Sequence, residues 1–395
     1  MAGLDGGRAG RLESAGMDER ATDGTDEGFM REALAEARRG EGGTRPNPPV
    51  GAVLVREGRI VARGHHRRAG GPHAEVDCLA RAPAGVARGG TLYVTLEPCS
   101  TSGRTGPCTE AIRSAGVARV VAAATDRNPR HAGRGFAALR AAGVEVAEGV
   151  CREEAERMLA PFFRHVETGL PWVTLKMAQS LDGGIADHAG VSKWITGPEA
   201  RAEVAALRRR ADCVLVGSGT VLADDPSLLR KGGEGEGLPG MRCALDARGR
   251  IPPTARIFAD GHADRTIVAT SAACPAERRA AWRAAGAAVW ELPTAFPRGA
   301  QGEAPALDLR ALLRRMGEEG FLHVLCEGGA GLASALVNEG LADAIELFVA
   351  PIVLGRGSLR TFGAYPFDLP TAPRYRVAET ARCGADLRIR LERDA

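Results

Sequence analysis

Pro72-His73-Ala74-Glu75-Val76-Asp77-Cys78, read with Glu97-Pro98-Cys99 and with Cys108, decides how the first half of the chain is understood. The imidazole of His73, the thiols of Cys99 and Cys108 and the carboxylate of Glu75 fall within 36 residues. His73, Cys99 and Cys108 are three ligands of the kind zinc takes. A fourth position left open for water marks a hydrolytic site, whereas a structural site is closed by four protein ligands. Pro72 suits a first helical turn, where its missing N–H would be unpaired anyway. The spacing therefore predicts a helix starting at or just before His73. Two residues apart, His73 and Glu75 stand roughly 200° apart around a helix axis. One can bind metal while the other approaches a substrate from the side. Zinc lowers the pKa of a bound water to about 7, so hydroxide is present at neutral pH. Glu75 is the group placed to take the proton and pass it on. Cys78 has two readings, a core residue of that helix or a further ligand, and the core is favoured.

The chain has 395 residues, more than one ordinary core needs, which predicts two or three domains. Hydrophobic content is 44%, charged content 26% and net charge +3, a globular composition. No block of Lys and Arg interleaved with aromatics occurs, so nucleic acid is not expected as a partner. No run of 18 apolar residues occurs, so no membrane helix is expected. Residues 1–25 are rich in Gly, Ala, Asp, Glu and Arg and read as a disordered leader. Nine cysteines, an odd number, suggest a reducing cytoplasm.

In order, the first half reads as a helix over 27–40 capped by Asp26, a rigid Thr44–Pro49 loop and a hairpin of 51–56 with 59–64. Then come a strand over 91–96 ending near Cys99, a helix opened by Cys108, and a strand over 119–124. A helix at 134–142, a strand at 144–147 and a helix over 152–168 close it. This alternation predicts an α/β layer fold. Asp126 and Asn128, at a strand's C-terminal end, suit either a site or an ordinary turn.

The first half resembles the N-terminal domain of the bifunctional riboflavin-biosynthesis deaminase/reductase family. The carrying words are Pro46-Asn47-Pro48-Pro49-Val50-Gly51, His73-Ala74-Glu75, and Thr95-Leu96-Glu97-Pro98-Cys99 with eight residues before Cys108. The resemblance implies a cytidine-deaminase-like three-layer domain over 26–170. It also implies zinc on His73, Cys99 and Cys108, with Glu75 as proton shuttle. The implied substrate is a diaminopyrimidinone carrying a ribosylamino phosphate, attacked at an amino-bearing ring carbon. Asn47, on its Pro-rich loop, is a candidate to hydrogen-bond that ring.

A second start appears at Pro171-Trp172-Val173-Thr174-Leu175-Lys176, an apolar, β-branched run suited to a central strand. A loop over 178–184 is expected, then Ser192-Lys193-Trp194-Ile195-Thr196, a helix over 198–210 and a strand over 213–217. Further strands are expected at 241–245, 265–269, 287–290, 344–349 and 386–391, and helices at 275–285 and 307–317. Gly217-Ser218-Gly219-Thr220 and Cys326-Glu327-Gly328-Gly329-Ala330-Gly331-Leu332 stand at strand ends, where small residues let backbone N–H groups approach phosphate. Neither fits G-x-G-x-x-G, so the standard dinucleotide fingerprint is absent.

This order resembles the dihydrofolate-reductase-like C-terminal domain of the same family, over 171–395. By resemblance, Ala178, Trp194, Thr220, Asp224, Gly329, Ala330, Gly331, Leu332, Ala333, Ser334 and Ala335 line an NADPH site. Ser192, Arg208, Leu228 and Glu327 would touch substrate. Two candidates join them: Lys176, for the sugar, and Lys231, for the phosphate. Bland readings stand beside these: Trp194 as a core ring, Arg208–Arg210 as a solvated helix end, Lys176 as a strand-end charge. Two departures from the family pattern are Leu229-Arg230-Lys231-Gly232 after Leu228, and Ala247 where Ser or Thr is usual. The Gly-rich stretch 232–240 reads as a mobile loop. The whole implies deamination followed by NADPH-dependent reduction of the ribosyl group to ribityl, in a homodimer or homotetramer. The alternatives are a deaminase with a degenerate second half and a non-catalytic zinc scaffold.

Overall fold

A computed structural model of the chain describes residues 24–101, 106–229, 240–296 and 305–394. Most of the expected leader, residues 230–239 with Lys231, and 297–304 lie outside the described residues.

The first half runs α1 (Asp26–Arg38), β1 (Gly51–Arg56), β2 (Arg59–His65), α2 (Ala74–Arg81), β3 (Thr91–Leu96), α3 (Cys108–Ser114), β4 (Arg119–Ala124), α4 (Arg134–Ala141), β5 (Glu145–Glu148) and α5 (Arg152–Thr168). Its sheet has the order β2-β1-β3-β4-β5. The hairpin strand β1 is antiparallel to β2 and β3, and β3, β4 and β5 are parallel. One apolar face packs Ala74, Cys78, Ile112, Phe136 and Leu139 of α2, α3 and α4. The other packs Phe29, Met30 and Leu34 of α1 with Leu159 and Phe163 of α5. Strands β1, β3 and β4 are apolar on both sides because both sides are covered. Cys78 is buried in this core, and burial pushes its thiol up to about 12. Thr25, not Asp26, caps α1, its hydroxyl accepting from the Gly28 N–H at 3.2 Å. Asp26 instead pairs with Arg119 and accepts from the Tyr93 hydroxyl at 2.7 Å.

The second half runs β6 (Trp172–Ser180), β7 (Gly184–Ala186), α6 (Pro198–Arg210), β8 (Cys213–Gly217), α7 (Ser218–Asp224), β9 (Met241–Leu245), α8 (Arg256–Ala259), β10 (Thr266–Thr270), α9 (Ala276–Ala284), β11 (Ala288–Glu291), β12 (Thr294–Ala295), β13 (Ala306–Leu307), α10 (Leu309–Glu318), β14 (His323–Cys326), α11 (Ala330–Asn338), β15 (Ala344–Ala350), β16 (Leu359–Arg360), β17 (Tyr375–Cys383) and β18 (Asp386–Arg393). Its main sheet has the order β11-β10-β9-β8-β14-β6-β15-β18-β17. All neighbours are parallel except β15–β18 and β17–β18. Helices α10 and α11 cover one face, with Leu312, Met316 and Leu336 in its core. Helices α6 to α9 cover the other.

Two expectations change here. Ala178, Gln179 and Ser180 continue β6 instead of forming a loop, because β15 pairs with them through to Ala350. Ser218–Asp224 is already helix, so the first Gly-rich segment is a helix start.

Candidate active sites

In the first half, β3 ends at Leu96 and delivers Cys99, α3 begins at Cys108, and His73 is the extended residue capping α2. Three chain breaks thus converge on one point. His73 Nδ1 lies 3.2 Å from Cys108 Sγ and 3.5 Å from Cys99 Sγ, and the three ligand atoms lie within 4.8 Å of one another. Zinc–sulfur and zinc–nitrogen bonds at a tetrahedral angle set such neighbours about 3.5 Å apart, so the donor set fits zinc. The Cys99 thiol is held far below its ordinary range, at about 4, first by its hydrogen bond with Cys108 and then by His73. The same bond pushes Cys108 up. Glu75, in the first turn of α2, is buried, and burial raises its carboxyl to about 7, with the Cys99 charge adding to the effect.

Asn47 is linked to this cluster through His66, whose ring centre lies 5.4 Å from that of His73. His66 Nδ1 lies 2.8 Å from the Pro72 carbonyl, which only accepts, so that nitrogen carries the proton. The bare Nε2 then accepts from Asn47 Nδ2 at 3.0 Å. Burial lowers the His66 pKa, which keeps the ring neutral. With Nδ2 donating to His66, the Asn47 amide oxygen is the acceptor end of the side chain. Sequence reasoning missed His66, and its adjacency to His65 at a strand end gave no local signal. It also missed Glu97, whose carboxylate accepts from the backbone N–H groups of Asp126 (3.2 Å), Gly133 (3.0 Å) and Gly135 (2.8 Å). Asp126 and Asn128 form a turn, Asn128 N donating to Asp126 Oδ1 at 2.8 Å.

In the second half, β8 and β14 are neighbours, and their C-terminal ends carry the two Gly-rich segments. A Cβ on Gly329 would stand 3.6 Å from Thr220 Oγ1, so the starts of α7 and α11 face each other across the sheet end. Ala330, Gly331 and Leu332 lie in the open first turn of α11, with Ala335 half-buried, whereas Ala333 and Ser334 point into the core. Trp194 is 70% exposed, with the Arg201 guanidinium 4.7 Å from its ring centre, so it is no core residue. Lys193 beside it pairs with Asp224 at 3.1 Å, drawing the segment with half-buried Ser192 against α7.

Arg208 makes a bidentate pair with Glu327, Nε–Oε1 at 2.5 Å and Nη2–Oε2 at 2.9 Å. Lys176 follows Leu175, which pairs in register with Cys326, so Lys176 and Glu327 stand side by side on the α6 face. Burial lowers the Lys176 pKa while Glu327 opposes that shift. Ala178 lies two residues further along the same strand face. Leu228 is buried with Val221 and Ile251 and has a left-handed φ of 60°.

Comparison with known proteins sorts these two sites. Residues 23–124 match the cytidine and deoxycytidylate deaminase zinc-binding region, and residues 171–389 match the RibD C-terminal domain. The riboflavin biosynthesis protein RibD of Escherichia coli is 39% identical over 93% of this chain and 99% of its own length. The chain belongs to the RibD family. The RibD of Aquifex aeolicus is 40% identical over 84% of this chain and 88% of its own. Among solved structures, Acinetobacter baumannii RibD matches with a TM-score of 0.81 at 36% identity, covering 94% of this chain and 99% of that one. A diaminohydroxyphosphoribosylaminopyrimidine deaminase/5-amino-6-(5-phosphoribosylamino)uracil reductase from Thermotoga maritima matches with a TM-score of 0.79 at 35% identity, covering 93% and 99%. As a RibD, the chain is a bifunctional deaminase and reductase of riboflavin biosynthesis. The expected fold holds: a cytidine-deaminase-like zinc-binding domain followed by a dihydrofolate-reductase-like one.

Proposed function

We propose that the chain deaminates 2,5-diamino-6-(5-phosphoribosylamino)pyrimidin-4-one in the domain over 26–170. The domain over 171–395 then reduces the ribosyl group of the product to ribityl. The observation that carries the reading is Glu75, a buried carboxyl raised to about 7 beside the imidazole and two thiols. A structural zinc site has no use for such a group.

In this reading His73, Cys99 and Cys108 hold zinc, which supplies Lewis acidity that makes water a nucleophile at neutral pH. Glu75 accepts the water proton and returns it to the leaving ammonia, a task suited to a carboxyl poised near neutrality. The amide oxygen of Asn47, whose Nδ2 is taken up by His66, would accept from the pyrimidine ring. The backbone N–H groups at the α7 and α11 starts would hold the phosphates of NADPH, which would supply hydride in the second domain. Thr220, Asp224, Trp194, Ala178 and the run Gly329–Ala335 would line that site, with Ala333 and Ser334 acting through the packing of α11. Arg208, Glu327, Lys176 and Ser192 meet the substrate. Leu228 does so through its backbone, since its side chain is buried. Lys231 remains the candidate phosphate ligand.

The nine cysteines are all free, which suits a cytoplasmic setting. No helix among the described residues is long and apolar enough to cross a membrane. Self-association as a homodimer or homotetramer belongs to the same reading, with Leu181, Val353 and Leu369 exposed on the reductase half. Sedimentation of the purified protein tests it.

Ammonia release from the diaminopyrimidine, with zinc content measured in parallel, tests the first step. Glu75→Gln should keep zinc and lose about 10²- to 10⁴-fold in rate. Full rate in that variant would remove Glu75 from the mechanism. NADPH oxidation with the deaminated product supplied directly tests the second step. No oxidation would favour a chain active only as a deaminase.

A further inference from the structure

The turn that carries Asn47 is held from outside its own domain. Asn47 N donates to the Thr44 carbonyl at 3.0 Å, and Thr44 Oγ1 donates to the Asn47 carbonyl at 2.8 Å, closing residues 44–47 into one tight unit. Arg45 projects from that unit onto the reductase domain. Its guanidinium lies 4.2 Å from the centre of the Phe321 ring, and its Nη1 donates to the Glu319 carbonyl at 3.2 Å. Pro46 packs on Gly320, where a Cβ would stand 3.0 Å from Pro46 Cβ. Glu319-Gly320-Phe321 is the turn between α10 and β14, and Phe321 is part of the reductase core. On the other flank, Glu41 pairs with Arg210 of α6 at 3.4 Å.

Each of these contacts stands within a few residues of Asn47. The deaminase domain itself holds the Asn47 side chain through its bond to His66. A guanidinium stacked on an aromatic face and tied to a carbonyl fixes orientation as well as distance, which a flexible ammonium does less well.

We infer that Arg45 is a positioning residue for the deamination. The α10–β14 turn of the reductase domain is the platform that holds Asn47 at the pyrimidine. The deaminase site is then complete only with the second domain docked against it. This rests on the reading of Asn47 as a substrate contact.

The test uses full-length, zinc-loaded protein and measures both activities separately. Arg45→Ala should raise the deaminase KM about fivefold, with kcat kept within about twofold. Zinc content and the reductase KM should not change. Arg45→Lys should recover part of the loss. Phe321→Leu, a substitution in the other domain, should raise the same deaminase KM. An unchanged deaminase KM in both Arg45→Ala and Phe321→Leu, while Asn47→Ala raises it, overturns the inference alone. Equal loss of both activities in both variants also overturns it, since Arg45 would then serve only stability. An unchanged KM in Asn47→Ala overturns the reading of Asn47 and the inference with it.

Discussion

Glu97 is buried, and its carboxylate meets three backbone N–H groups, from Asp126, Gly133 and Gly135. A charge out of water survives when such donors replace its hydration. The carboxylate thus ties the end of β3, two residues before Cys99, to the loop after β4 and the start of α4. Glu97→Gln puts an amide N–H₂ against one of those donors. The expected cost is about 1–3 kcal/mol, read as a lower thermal midpoint with a matching loss of retained zinc. Wild-type stability and zinc content in that variant would deny Glu97 this role. The residue stands in the Glu97-Pro98-Cys99 word, but its partners lie about 30 residues on. Spacing brought out the ligands and gave no hint of the brace. The Arg208–Glu327 pair shows the same gap. Arg208 read as a solvated helix end or a substrate contact, and its bidentate partner 119 residues away became visible only in the fold.

Gly51 opens β1 where α1 crosses it. A Cβ there would stand 2.1 Å from the Ala33 carbonyl oxygen and 2.4 Å from Ala37 N, both backbone atoms that cannot turn aside. Gly51→Ala must therefore push α1 off the sheet, at a cost of at least about 2 kcal/mol, seen as a shift in the urea midpoint. An unchanged midpoint would mean that α1 docks more loosely than it is drawn. Elements with a clear apolar period were legible: α5, α6, β4 and β8 have the expected bounds. Strand β17 was not expected at all. It is the sheet edge, largely exposed, and its Tyr375–Cys383 sequence carries no apolar face to read. The end of β6 was misread as a loop for a related reason. Ala178-Gln179-Ser180 is a strand because β15 lies beside it, not because of its composition.

The two domains meet near the N-terminal end of β14, opposite the end that carries Glu327. His323 stands there, its Nε2 2.9 Å from Thr174 Oγ1, and burial lowers its pKa to about 4. An unfolded histidine takes a proton near pH 6.5. Between about pH 6.5 and 4 the unfolded chain therefore binds more protons at this site than the folded one. Stability is full above that window and falls as pH drops through it. From pH 7 to 5 the loss is up to about 2 kcal/mol, less to the extent that water reaches the half-buried ring. His323→Gln should flatten the fall of the thermal midpoint over that range. An unaltered fall would assign the acid sensitivity elsewhere.

Local pattern was enough to single out His73, Cys99 and Cys108, which the fold brings together, the alternation of strands and helices, and the two halves that match two family domains. Ligands grouped at strand ends and helix starts leave a signal in spacing, and a helix or buried strand leaves one in periodicity. Tertiary structure alone decided that His66 sets the tautomer holding Asn47, that Glu97 braces the Cys99 arm, and that Arg45 lays the Asn47 turn on Phe321 of the other domain. Each of these joins residues 19 to 276 positions apart, through a few hydrogen bonds or a stacked ring. Such a pairing places no constraint on neighbouring residues, so a single sequence carries no trace of it until the chain has folded.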